Sequence, residues 1–212
     1  MARRLIRRSA VAFALVSALA VGACTGSGYH YVTNKKTGVY LKVPHDWRVF
    51  DRDALAQGFK QGGGSLDEET LFIAGFDSAP KPSIAHVAPL DPGSDHPTGL
   101  VRVKQLTGEE RDVVSFQALR NLLLPVDQGL QDNKMKLLGR ADLAPKGGLR
   151  GQRYIYQVVN DDGGSFIVDQ TALVDNKTER LFMLAVACEA QCYASNRKTV
   201  DKVVTSWTVT KG

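Results

Sequence analysis

The chain has 212 residues, with 27 Lys plus Arg against 22 Asp plus Glu. Four of the bases, Arg3, Arg4, Arg7 and Arg8, lie in the first 23 residues, which hold no acid, so residues 24–212 carry 23 bases against 22 acids. That near-neutral balance argues against a nucleic-acid footprint and against overall basicity as a membrane signal, and the remaining 189 residues suffice for one core of ordinary size.

The basic start is followed by an apolar run from Ala10 to Val21 and closes on Gly22, Ala23 and Cys24, the layout of an export signal. The run is about twelve residues, short of the roughly twenty that cross a bilayer core, so removal is expected rather than permanent insertion. Val21-Gly22-Ala23-Cys24 resembles the bacterial lipobox, which implies cleavage before Cys24 and attachment of diacylglycerol to its thiol. The expected organisation is a signal peptide over 1–23, a lipid-anchored linker over 24–28 and a single domain over 29–212, on the extracytoplasmic face of the cell membrane. Arg7-Arg8-Ser9 lacks the apolar residues that should follow in a twin-arginine signal, so the general secretory route is preferred. A tether of about five residues spans roughly 17 Å, which keeps the domain against the membrane surface.

Tyr29–Val32 and Val39–Val43 read as two strands joined by the polar turn Asn34–Gly38, the second ending at Pro44. Trp47 follows as an apolar lid on the sheet end. Asp51 or Asp53 caps a short helix that runs through Phe59 and stops at the glycines of Gln61–Ser65, which lack the spacing and the lysine of a phosphate loop. Leu71–Phe76 is a strand. The segment Asp77–Gly99 holds five of the eight prolines and two of the four histidines, too proline-rich for a long regular element.

Leu100–Leu106 alternates apolar and polar residues as a half-buried strand does. Thr107-Gly108-Glu109-Glu110 is a capping box, and Val113, Phe116, Leu119, Leu122 and Leu123 predict one helix over 109–124 that Pro125 stops. Strands follow at Met135–Leu143, Gly151–Val159 and Phe166–Val174, with a tight turn at Asn160–Gly164 whose acids lack the spacing of a calcium loop. Leu181–Ala187 is apolar without alternation and must be covered on both faces. Ser195 is expected to cap a final helix over 196–206 whose stripe is Val200, Val203, Val204 and Trp207.

With Cys24 lipidated, Cys188 and Cys192 remain as a pair in an oxidising compartment and are expected to be disulfide-bonded. Their separation closes a small loop, so the bond should be dispensable for folding.

These elements define an α+β fold, an α/β/α sandwich with a central, largely antiparallel sheet and helices on both faces. Gly38–Pro44 with Trp47, and the closing Val203–Val209, resemble the start and end of the PsbP-like fold, which LpqN-type actinobacterial lipoproteins share. The resemblance implies an accessory, partner-binding module and carries over no catalytic residue.

The sequence shows no G-x-S-x-G elbow and no H-E-x-x-H or other metal-ligand spacing, and His45-Asp46 reads as a turn pair. The expectation is a non-catalytic envelope protein, without cofactor or metal, that binds an unidentified envelope protein or small amphipathic ligand and no nucleic acid. The rival is a membrane-anchored hydrolase or metal-dependent enzyme. The expected partner-contacting loop is Asp77–Gly99, presenting His86, Asp91, Asp95 and His96, because a long loop stiffened by prolines is ordered at low entropic cost.

Overall fold

A computed structural model describes residues 28–88, 94–160 and 163–210; the expected signal peptide, Cys24 and Asp91 lie outside the described residues. In chain order the elements are β1 (Tyr29–Asn34), β2 (Val39–Pro44), β3 (Arg48–Phe50), α1 (Arg52–Gln61), β4 (Thr70–Asp77) and β5 (Thr98–Gln105). Three short helices follow, α2 (Gly108–Asp112), α3 (Phe116–Arg120) and α4 (Val126–Gln131). The chain then forms β6 (Met135–Leu143), β7 (Arg150–Val159), β8 (Ser165–Val174), β9 (Arg180–Glu189), α5 (Ala190–Ser206) and β10 (Thr208–Val209).

Seven strands form one antiparallel sheet in the order β3-β4-β5-β9-β8-β7-β6, and β1-β2-β10 form a second. The unalternating strand β9 lies in the middle of the large sheet. One of its faces, carrying Phe182, Leu184, Val186 and Cys188, packs under the small sheet and α5 with Leu41, Val43, Trp47, Val203 and Trp207. On the other face Met183 meets Leu55 of α1 with Val87, and Ala187 meets Val126 of α4 with Tyr154 and Tyr156. Helices therefore cover both faces, as the apolar run requires, and the three-stranded sheet shares one layer with α5. Trp47 stacks on Phe76 at a centroid distance of 5.8 Å, and Gly99 makes room for that ring, since a Cβ there would lie 2.2 Å from it.

Two expectations are corrected. The helix expected over 109–124 is two helices. The capping box at Thr107 and Glu110 forms, but α2 ends at Val113, and Ser115 opens α3 by accepting from the Ala118 amide at 3.0 Å. Two β-branched valines followed by a serine that bonds backbone amides favour a restart over continuation. As a result Leu119 is 3% exposed while Val113 is 68% exposed, so the expected stripe does not share one buried face. Ser195 does not cap the last helix, because α5 begins at Ala190 directly from β9, with no side-chain cap at Glu189. The short strands β3 and β10 and helix α4 were not anticipated, being too brief or too polar to show a period.

One buried polar cluster ties α5 to the sheet. The Asp169 carboxylate, fully buried, accepts from Arg153 Nε at 2.8 Å and Nη2 at 2.5 Å and from the Tyr193 hydroxyl at 2.9 Å, while Arg153 Nη2 also donates to Asp201 at 2.7 Å. Burial and Asp169 both hold the Tyr193 hydroxyl above its ordinary pKa, so it stays a donor. The other sheet edge, β6, is open: it is nine residues long, bulged between Leu137 and Gly139, and carries Lys136, Arg140 and Asp142.

Asp169→Ala leaves the Arg153 guanidinium without its buried partner and should lower stability by about 3–5 kcal/mol, read as a reduced urea midpoint with unchanged slope. Cys188 and Cys192 are bonded across a Cα–Cα distance of 5.9 Å. The double change Cys188→Ala/Cys192→Ala should cost about 2 kcal/mol by loop-closure entropy, leaving a folded protein by circular dichroism.

Candidate functional site

The loop from β4 to β5 leaves the sheet at Asp77, and that residue organises it. Asp77 is fully buried; its Oδ1 accepts from the Ala79 amide at 2.9 Å, and its Oδ2 accepts from the Ser83 amide at 2.8 Å and from His86 Nδ1 at 2.8 Å. Ser83 then caps a 3-10 turn over Ile84–His86 by accepting from the Ala85 amide. Val87, fully buried, plugs the second core, where Gly75 leaves the space: a Cβ on Gly75 would lie 2.4 Å from Val87. The returning limb is held by Ser94, whose carbonyl accepts from the Glu189 amide at 2.9 Å and whose hydroxyl accepts from the His96 amide at 3.1 Å.

These anchors bring His86, Asp95 and His96 to one groove, together with Lys81, Ser94 and Glu189, enclosing about 560 Å³. Asp91 lies outside the described residues. The side chains of His86 and His96 are 33% and 36% exposed, so each offers an edge to solvent while its backbone is fixed. His96 Nε2 lies 3.5 Å from Asp95 Oδ1, and Asp95 itself is 80% exposed. Among the described residues no three His, Cys, Asp or Glu side chains are grouped closely enough to hold a metal ion.

A buried carboxylate that accepts from Nδ1 orients the imidazole and turns Nε2 outward, which is two-thirds of a nucleophilic triad. The missing third is a nucleophile. Among the described residues no hydroxyl is seen hydrogen-bonded to His86 Nε2, and Ser94 of the same groove is occupied with the His96 amide. His45 does not pair with Asp46; its ring stacks on His30 at 4.9 Å. Among the described residues the groove presents the polar edges of His86, Asp95 and His96.

A second polar network covers the opposite end of the sheet. Arg120 donates to both oxygens of Asp127, at 2.5 and 2.7 Å, and to the Tyr154 hydroxyl at 3.1 Å; Asn121 donates to Asp127 at 3.0 Å. Arg120 holds the Asp127 carboxyl down at about 2. The network splices α3 to α4 and includes Tyr154, whose hydroxyl donates to Gln152 at 2.8 Å. It fixes the short helices.

The prolines and histidines mark the loop in the sequence, but its organiser goes unmarked. Asp77 looked like the first loop residue; its role depends on being the last strand residue, buried, with its oxygens aimed back at the turn. A second groove also escaped, lined by His30–Asn34, Val49–Arg52 and Leu71–Ala74, because it forms between segments distant in sequence.

No family description matches the chain, and no curated protein sequence matches it. Among solved structures the chain is similar to cyanobacterial PsbP from Synechocystis sp. PCC 6803, at 10% identity and a TM-score of 0.46, over 90% of this chain and 99% of that one. It is also similar to LpqN, involved in cell envelope biogenesis of Mycobacterium tuberculosis, at 16% identity and a TM-score of 0.49, over 86% and 91%. The Saccharomyces cerevisiae Ran-binding protein Mog1p follows at 10% identity and a TM-score of 0.47, over 85% and 95%. Two of the three bear the names that the sequence motifs resemble.

Asp77→Ala removes three accepted hydrogen bonds and should free the loop, costing about 2–3 kcal/mol and raising amide exchange across 79–88 while β9 stays protected. Asp127 supplies a pH prediction. Its folded pKa, about 2, lies below the ordinary 3.8, so its contribution is present above pH 4 and is lost as pH falls toward 2. Urea midpoints measured from pH 5 to pH 2 should fall less steeply in Asp127→Asn than in the wild type.

Proposed function

We propose that this chain is a non-catalytic, lipid-anchored module of the cell envelope, processed at Cys24 and held on the extracytoplasmic face of the membrane as a single domain over 29–212. It binds an envelope protein or a small amphipathic ligand through the groove at the end of β4. The observation that carries the binding reading is the contrast inside the loop: Asp77 and Val87 are fully buried and immobilise the backbone, while His86, Asp95 and His96 stay accessible around one opening. Loop limbs anchored in this way, with exposed polar edges, bind without a large ordering cost. The lipobox supports the anchoring, and no helix among the described residues is long and apolar enough to cross a membrane.

Replacing the whole loop would pull Val87 out of the core, so surface substitutions are the cleaner test. In cells carrying Lys81→Ala/Asp95→Ala/His96→Ala, the yield of crosslinked envelope partner should drop at least tenfold with the circular dichroism spectrum unchanged; an unchanged yield would remove the loop from the binding surface. Cys24→Ala should accumulate as an uncleaved precursor, and the intact mass of the wild-type mature protein should include acyl chains.

The hydrolase reading has one observation in its favour, the Asp77–His86 pair. The binding reading expects wild type and His86→Ala to hydrolyse p-nitrophenyl butyrate at the same rate; a hundredfold advantage for the wild type would establish the enzyme instead.

A further inference from the structure

Residues 24–212 are nearly neutral, but their charge is not evenly spread. The hairpin Tyr29–Pro44 contains Lys35, Lys36 and Lys42 and no acid. Its register places Tyr31 opposite Lys42 and Thr33 opposite Tyr40. Alternation sends Val32, Leu41 and Val43 into the core, so Tyr29, Tyr31, Tyr40 and Lys42 share the outer face. The Tyr31 and Tyr40 rings approach to 6.0 Å, and Tyr31 remains 48% exposed. Beside it, across the second groove of about 530 Å³, Leu71 is 45% exposed. β1 is also the first described strand after the lipidation position. The five steps from Cys24 to Tyr29 span at most about 18 Å, so a lipid on Cys24 confines this hairpin to the membrane surface more tightly than any later element.

We propose that the outer face of the β1–β2 hairpin, continued by Leu71, is the surface on which the domain docks to the bilayer. Tyrosines rest at the headgroup level, with an apolar ring and a wet hydroxyl, and the lysines face anionic headgroups. The lipid supplies attachment and the hairpin supplies orientation. This deepens the proposed function and rests on its lipid anchor. An extended peptide lying along the β1 edge is the competing occupant; the tether length and the acid-free lysines favour the lipid surface.

The test uses the acylated full-length protein in vesicles of equal parts phosphatidylglycerol and phosphatidylethanolamine containing a nitroxide-headgroup lipid. With Cys24 acylated and Cys188 bonded to Cys192, an introduced cysteine is the one free thiol for a fluorophore. A label at Tyr31→Cys, or at Thr33→Cys should the first disturb folding, is expected to be quenched at least fivefold more than one at Leu138→Cys on the far sheet edge. Adding Lys35→Gln, Lys36→Gln and Lys42→Gln should lower the docked-to-undocked ratio by roughly fivefold per lysine while the protein stays on the vesicle. Equal quenching at 31 and 138 overturns the proposal. Protection of the label only after envelope extract is added also overturns it, assigning the face to a protein. A mature mass without acyl chains, with no protein on the vesicles, removes the anchor and the docking together, a failure distinct from an acylated protein that is not oriented.

Discussion

Strand β9 has no face that water reaches between Phe182 and Cys188, and the rest of the architecture answers that constraint. A strand apolar on both sides is stable only when a layer covers each side, and each layer must come from elsewhere in the chain. On one side the cover is α5, which leaves β9 without an intervening loop, joined by the β1–β2–β10 sheet. On the other it is a patchwork of α1, the Val87 turn, α3 and α4. The continuous cover carries the larger apolar cluster; the patchwork has several smaller ones held together by polar splices such as Arg120 with Asp127 and Tyr154.

That asymmetry explains where function can reside. Beneath α5 the continuous side is closed by packing and by the Arg153–Asp169–Tyr193 cluster, which a ligand could enter only by breaking a buried charge pair, and its second groove opens at the rim beside β1. The patchwork side has seams. The loop groove opens where the Val87 turn meets the end of β9, and its residues are oriented by Asp77 and Ser94 without filling it. The candidate groove is a seam between covers rather than a hole in the core.

The longer strands and the body of the terminal helix were legible in the sequence because each carries a pattern: Leu100–Leu106 alternates, Leu181–Ala187 is uniformly apolar, and Val200, Val203, Val204 and Trp207 form one stripe. The region between Thr107 and Gln131 was not, because its apolar residues satisfy a helical spacing while Ser115 interrupts the backbone. Spacing reports where side chains would fall if a helix existed; it does not report a capping serine that ends one helix and starts another. The candidate site was half legible for a related reason. His86 and His96 stand out as residue types, whereas the burial of Asp77 and the space left by Gly75 are properties of the packed sheet, visible only once β4 lies between its neighbours.

The open strand β6 has a consequence at the level of populations of molecules. Under the proposed anchor the chains would share a plane, and confinement to a plane raises the frequency with which bare sheet edges meet. Nine residues with no strand beside their outer edge would invite edge-to-edge growth, yet the bulge at Leu137/Gly139 breaks the register and Lys136, Arg140 and Asp142 interrupt its apolar surface. A strand shaped this way opposes edge-to-edge pairing, so molecules crowded on a surface would stay separate.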